Sequence, residues 1–196
     1  MHLGGATPGQ TPLEPDEAEQ LIPSWISTRG DLDSAEQENI ADAVEWTLGT
    51  ALSPSEILDE GFLRRLHRRM FGQVWRWAGT YRTSARNIGV DAWLIGEELG
   101  VLLADARYWV EHETYPHDEL AVRFHHRLVS MHPFPNGNGR HARLAADLLI
   151  QSLGAPAFTW AIHRDDDPEA LRAEYVAAIL AADAGEIEPL LGFARS

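Results

Sequence analysis

Two helical stripes separated by a break rich in Pro and Gly constrain this chain more than anything else in it. Leu120, Phe124 and Leu128 recur at helical spacing over 117–131, and Leu144, Leu148 and Leu149 do the same from about Arg140 to Leu153. Between them stands His132-Pro-Phe-Pro-Asn-Gly-Asn-Gly139, with Arg140 and Arg143 directly behind it. Further helices are expected from Asp33 or Ser34 toward Leu48, with Ile40, Ala43, Val44 and Leu48 inward, and at about 96–112. Another starts at Pro54 behind a Ser53 cap and continues through Leu63, Leu66 and Met70. A final long helix starts at Asp167-Pro168, packs through Leu171, Tyr175 and Ile179, and ends at Gly185. Thr80, Tyr81, Thr83, Ile88 and Val90 favour extended backbone, so 80–94 is expected to be an irregular hairpin. Together these elements predict an all-α domain of seven or eight helices with one small β-hairpin.

Composition narrows the chemistry. The 196 residues contain no Cys, which removes thiol nucleophiles, iron–sulfur clusters and Cys-ligated zinc together. No His-Glu-x-x-His pattern appears and the adjacent His125 and His126 cannot share a helix face, so no zinc is expected. A net charge of −14 repels nucleic acid, so no direct nucleic-acid partner is expected. Neither a signal peptide nor a membrane-spanning run is legible, which points to a cytoplasmic protein away from membranes. Arg64, Arg65, Arg68 and Arg69 cluster around His67, either as a solvated helix face or as a contact for a partner's acidic surface. Trp75 and Trp77 are expected to be core anchors, and His141 to be exposed.

The break itself carries the functional signal. Gly137-Asn138-Gly139 alone is an ordinary turn between helices. Glycines also let successive N–H groups converge on one anion, and the start of the following helix adds free N–H groups and partial positive charge. Arg140 and Arg143, at i and i+3, place two guanidinium forks beside it, a grouping that suits several phosphate oxygens and disfavours the helix dipole. His132 ends the preceding helix facing the same loop, where a neutral imidazole can take a proton from an attacking hydroxyl. Phe134, between Pro133 and Pro135, is expected to anchor the loop in the core. The Gly-Lys-Ser/Thr ending of a P-loop is absent.

The string resembles the Fic motif, His-Pro-Phe-x-Asp/Glu-Gly-Asn-Gly-Arg-x-x-Arg, and the helix before it and the Trp-Ala-Gly segment at 77–79 are similar to Fic elements. Within that family the chain looks most like the group called mobile mystery protein B, found beside a DNA-binding partner. The resemblance implies a Fic fold, with 1–20 as an extended arm, 21–50 as a segment carrying an inhibitory helix and 51–196 as the Fic core. It further implies a nucleotidyltransferase that moves AMP from ATP, with Mg²⁺ or Mn²⁺, to a hydroxyl of a target protein. His132 would be the general base, Gly137, Asn138 and Gly139 would hold phosphate oxygens, and Arg140 and Arg143 would bind the β- and γ-phosphates. The hairpin at 80–94 would pair with the target as an added strand, or else merely cover the core edge.

One motif position departs. Fic proteins that transfer AMP carry Asp or Glu where this chain has Asn136, and a neutral amide is a doubtful ligand for Mg²⁺. A non-catalytic nucleotide-binding module, or one half of a toxin–antitoxin-like pair, is therefore the alternative. Ser34-Ala-Glu-Gln-Glu-Asn39 matches the Ser/Thr-x-x-x-Glu-Gly/Asn pattern of Fic inhibitory helices, which makes Ser34 and Glu38 the candidate brake; an ordinary capping box reads the same residues as structure.

Overall fold

The computed structural model describes residues 18–86 and 88–196. Its eight α-helices among these residues are α1 (Arg29–Leu48), α2 (Pro54–Ile57), α3 (Glu60–Phe71), α4 (Ile95–Glu111), α5 (His117–Met131), α6 (Asn138–Ser152), α7 (Pro168–Asp183) and α8 (Glu188–Arg195). A 3-10 turn, Ala92–Leu94, leads into α4. Most of the expected arm, 1–17, lies outside the described residues. Leu21 then forms an isolated antiparallel bridge with Trp75, and none of the described helices is long and apolar enough to cross a membrane.

Local chemistry fixes where the helices start. Thr28 and Asp31 form a reciprocal capping box, so α1 begins a turn before the expected Asp33 or Ser34. Hydrogen bonds from Ser27 and Thr28 hold the Asp31 carboxyl down at about 2. Ser53 caps α2 as expected, but Asp59 then accepts from Phe62 N–H and opens a new helix, so the single predicted helix is two. Beyond Gly185 the chain turns into α8, which the sequence reading missed. Arg195 clamps that helix against Asp118 and the carbonyls of Pro156 and Ala157.

The α5–α6 pair forms the centre of the molecule. On one side, Phe62, Leu66, Phe71, Trp75, Leu102 and Phe124 fill the main core. On the other, Ala146, Ile150, Phe158, Leu190 and Ala194 bind α7 and α8 to the pair. Helix α1 departs from its predicted face, since Leu48 is 78% exposed while Leu32, Ala35, Glu36, Asn39, Ala43 and Thr47 are buried. The inward face is partly polar because it meets groups that need partners: Asn39 donates to Arg69 O at the end of α3 and accepts from Gln73 N.

The expected hairpin is not a strand pair among the described residues. Residues 80–86 and 88–91 instead run along the break, with Arg82 N donating to Pro133 O and Val90 N to Met131 O. The Arg82 side chain satisfies carbonyls that a β-ladder would otherwise need: those of His132, Ser84, Val90 and Met131.

Candidate nucleotide site at the α5–α6 junction

Helix α5 ends in a left-handed residue, His132 at φ 54°, which swings the chain into the loop. Arg82, only 2% exposed, donates to the His132 carbonyl at 2.6 Å and fixes the backbone there. Gly89 lies against the same residue: at its φ of +91° a Cβ would come within 2.7 Å of His132 Cβ. His132 is itself 8% exposed. Burial, then the charges of Arg82 and Arg86, lower its imidazole to about 4 against a small opposing effect of the Val129 backbone, so it is neutral at pH 7.

The loop is braced from within. Asn138 Oδ1 accepts from Phe134 N at 2.9 Å while its Nδ2 donates to Phe134 O at 2.8 Å, so this side chain holds the loop rather than facing outward. Phe134 is buried and stacks on His67 at 3.7 Å between ring centres. His67 is no part of a solvated face. Its Nδ1 accepts from Gly79 N and its Nε2 pairs with Asn136 O, which makes Nε2 the protonated nitrogen and ties the Trp-Ala-Gly segment to the loop. Burial above all holds His67 well below the usual imidazole range. His141, expected to be exposed, is buried too and held at about 4 by burial, with Nε2 on Leu63 O, because the first turn of α6 backs onto α3.

Beyond the brace the site opens. Gly137 caps α6 at φ 78° with no side-chain bond to the first turn, and no acidic residue occupies that turn. A Cβ on Gly137 would lie 2.5 Å from the Phe71 ring, so the loop passes where only glycine fits. A Cβ on Gly139 would meet nothing nearer than Tyr175 Oη at 3.9 Å, which leaves room above the free N–H groups. Arg143 lies over the Tyr175 ring at 5.5 Å, and Arg140 lies over the Phe71 ring at 4.8 Å. Arg140 also pairs with Glu36 at 2.7 Å, and Trp75 Nε1 donates to that carboxylate at 2.7 Å.

The carboxylate that reaches the site is thus Glu36, 5% exposed, while Ser34 and Glu38 lie exposed. Two residues turn a helix by about 200°, which puts positions 36 and 38 on opposite faces. The sequence reading missed Glu36 because an inhibitory pattern pointed past it, and missed Arg82 because its segment read as a strand. An Arg amid β-favouring residues, with no acid adjacent, was the available signal for the second.

The protein offers little to a metal ion at this site. No group of three or more His, Asp or Glu able to hold one occurs among the described residues. Asn136 Oδ1 accepts from Gly137 N at 2.6 Å, so this neutral oxygen is turned into the loop. The residues do not fit a protein-held cation.

Comparison with known proteins agrees with this geometry. The chain is 33% identical over 132 residues to protein adenylyltransferase fic-1 of Caenorhabditis briggsae, covering 65% of this chain and 25% of that one. It spans about a quarter of the length of such curated relatives. Residues 134–508 of Fic-1 from C. elegans superpose with a TM-score of 0.64 at 27% identity, covering 91% of this chain and 51% of that one. BepC of Bartonella tribocorum, solved with bound AMPPNP, has the same fold, with a TM-score of 0.68 at 19% identity over 93% of this chain and 97% of that one. Residues 57–150, which run from the end of α2 through the loop and most of α6, match the Fic/DOC family.

Proposed function

We propose that the chain transfers AMP from ATP to a hydroxyl of a target protein and rests in a self-inhibited state. The observation that carries this is a neutral, backbone-clamped His132 across the loop from an uncapped helix start bearing two arginines. His132 takes the proton of the target hydroxyl as its oxygen bonds to the α-phosphorus. The bond to the β-phosphate bridge breaks and pyrophosphate leaves. The N–H groups at the start of α6, with Arg140 and Arg143, hold the phosphates as negative charge shifts onto the leaving group. The target lies along the exposed part of 80–94 beside His132. The adenylyltransferase relatives and the AMPPNP-bound BepC support the choice of ATP.

Glu36 is the brake in this reading. Its carboxylate occupies Arg140, and Trp75 holds it there, so a phosphate must displace an ion pair with one partner almost fully buried. Glu38 has no such contact to give up. With α-labelled ATP, Glu36→Gln is expected to raise label on protein about tenfold or more, since one charge-assisted contact is of order 1.5–3 kcal/mol. Glu38→Gln should leave the label unchanged, and adding His132→Ala to Glu36→Gln should remove it. A rise with Glu38→Gln instead would return the brake to the pattern-matched position.

Asn136 favours a second reading, a nucleotide-binding module without catalysis, because its oxygen is engaged by Gly137 rather than presented to a cation. ATP bound by the Glu36→Gln chain with no label on any protein, with or without Asn136→Asp, selects that reading.

A further inference from the structure

The phosphate site has a wall that the motif does not contain. Helix α7 crosses the start of α6 and brings Tyr175 against it, with the hydroxyl facing Gly139 and the ring beneath the Arg143 guanidinium at 5.5 Å. Behind the ring, Tyr175 Oη is hydrogen-bonded at 3.0 Å to Nε2 of His125, which is fully buried in α5. Arg143 therefore rests on a surface anchored to the core rather than on a mobile side chain. Arg172 stands one turn before Tyr175 on α7, on the same side of the helix.

Charges around this wall do not balance. Burial first, and then the positive charges of Arg29, Arg143 and Arg140, lower Arg172 from its ordinary value, so four guanidiniums share one region. Arg140 has Glu36 and Arg29 has Asp33, but neither Arg172 nor Arg143 has an ion-pair partner among the described residues. Nearby acids are hydrogen-bonded elsewhere: Glu174 to Arg164 at 2.8 Å, and Asp147, which feels the Arg143 charge without an ion pair to it, to the N–H groups of Trp160 and Phe158. Gathering like charges in a chain of net charge −14 destabilises the fold unless an anion enters.

We propose that α7 completes the phosphate site: Tyr175 positions Arg143, and Arg172 binds the outermost phosphate, so that affinity rises steeply with the number of phosphates in the ligand. The site is the one assigned above to ATP, and the inference rests on that reading for its substrate, though the anion chemistry can be measured without a nucleoside.

Calorimetric titration with inorganic phosphate, pyrophosphate and tripolyphosphate tests it, on the wild-type chain and on Glu36→Gln, in which Arg140 is released. Tripolyphosphate is expected to bind the released chain tightest, and Arg172→Gln to weaken it about tenfold, the size of one charge-assisted contact, while weakening pyrophosphate less. Tyr175→Leu should weaken all three anions, whereas Tyr175→Phe, which keeps the ring, should stay within about twofold, because the ring carries the cation. In label transfer from ATP, Arg172→Gln should raise KM and leave kcat, which a merely structural role would not do. Equal tripolyphosphate affinity in Arg172→Gln, or no binding to either parent chain, overturns the inference. Absence of label transfer with the tripolyphosphate differences intact overturns adenylyl transfer alone.

Discussion

On the His132 side of the loop, Arg82 takes the carbonyls of Met131, His132 and Val90, His67 takes that of Asn136, and the Asn138 amide closes a reciprocal pair with Phe134. On the Arg143 side, the helix start is uncapped and guanidiniums rest on aromatic faces. One half has spent its polar groups on itself, and the other, apart from the Arg140–Glu36 pair, has kept them for a visitor. A transfer reaction needs both conditions: a base that does not wander and donors that need no rearrangement to meet developing charge. The cost of the closed half is carried by buried, neutral imidazoles, and the cost of the open half by unneutralised positive charge.

The largest expected effect breaks the closed half by acid. His132 and His141 titrate near 4 and His125 near 3 in the folded chain, and His67 is also depressed, against an ordinary imidazole value of 6.5. The unfolded chain therefore takes up protons first, and stability held above pH 6.5 is lost as pH falls toward 4. His132 and His141 each account for on the order of 3 kcal/mol of that loss. Asp147, raised to about 6 by burial, runs the other way between 6 and 3.8 but is one group against four. Circular dichroism melts should fall steeply from pH 6.5 to 4, and a flat melting temperature over that window would contradict the neutral imidazoles.

Arg82→Met comes next. It strips donors from buried carbonyls around His132 and should destabilise the chain by about 3–5 kcal/mol, with label transfer lost as well. A melting temperature lowered by less than about 3 °C would mean that the clamp is dispensable. The smallest effect on stability belongs to the open half. Arg143→Gln should change stability by no more than about 0.5 kcal/mol, because it has no ion-pair partner to abandon among the described residues. It should nonetheless weaken ATP about tenfold or more in calorimetry. A large loss of stability there would erase the contrast between the halves.

How much of this was legible depended on which force decided each residue. Helices α4 to α7 follow apolar spacing, helped at α7 by the Asp167-Pro168 cap, and they lie close to their expected bounds. Helix α1 was misjudged in rotation, since its inward face carries Glu36 and Asn39, and a hydrophobic stripe cannot report a face chosen by polar partners. His67 and His141 were placed by what packs behind them, α3 against α6, a tertiary fact with no local trace. Gly185 read as an end because glycine stops a helix without saying whether another follows.

Trp75 sits at the meeting point of two of these contacts. Its indole donates to Glu36 and stacks on Trp77 at 5.1 Å, and its backbone bridges Leu21. An indole hydrogen-bonded to a carboxylate emits differently from one that has lost it, so the proposed displacement of Glu36 from Arg140 by a phosphate would write an optical signal. Subtracting the spectrum of Trp75→Phe isolates that signal, and the molecule then carries its own gauge of occupancy, readable in a cuvette without label or target. The same indole makes the segment at 20–22 a lever: whatever peels that strand of chain from Trp75 tugs on the Glu36–Arg140 pair as well.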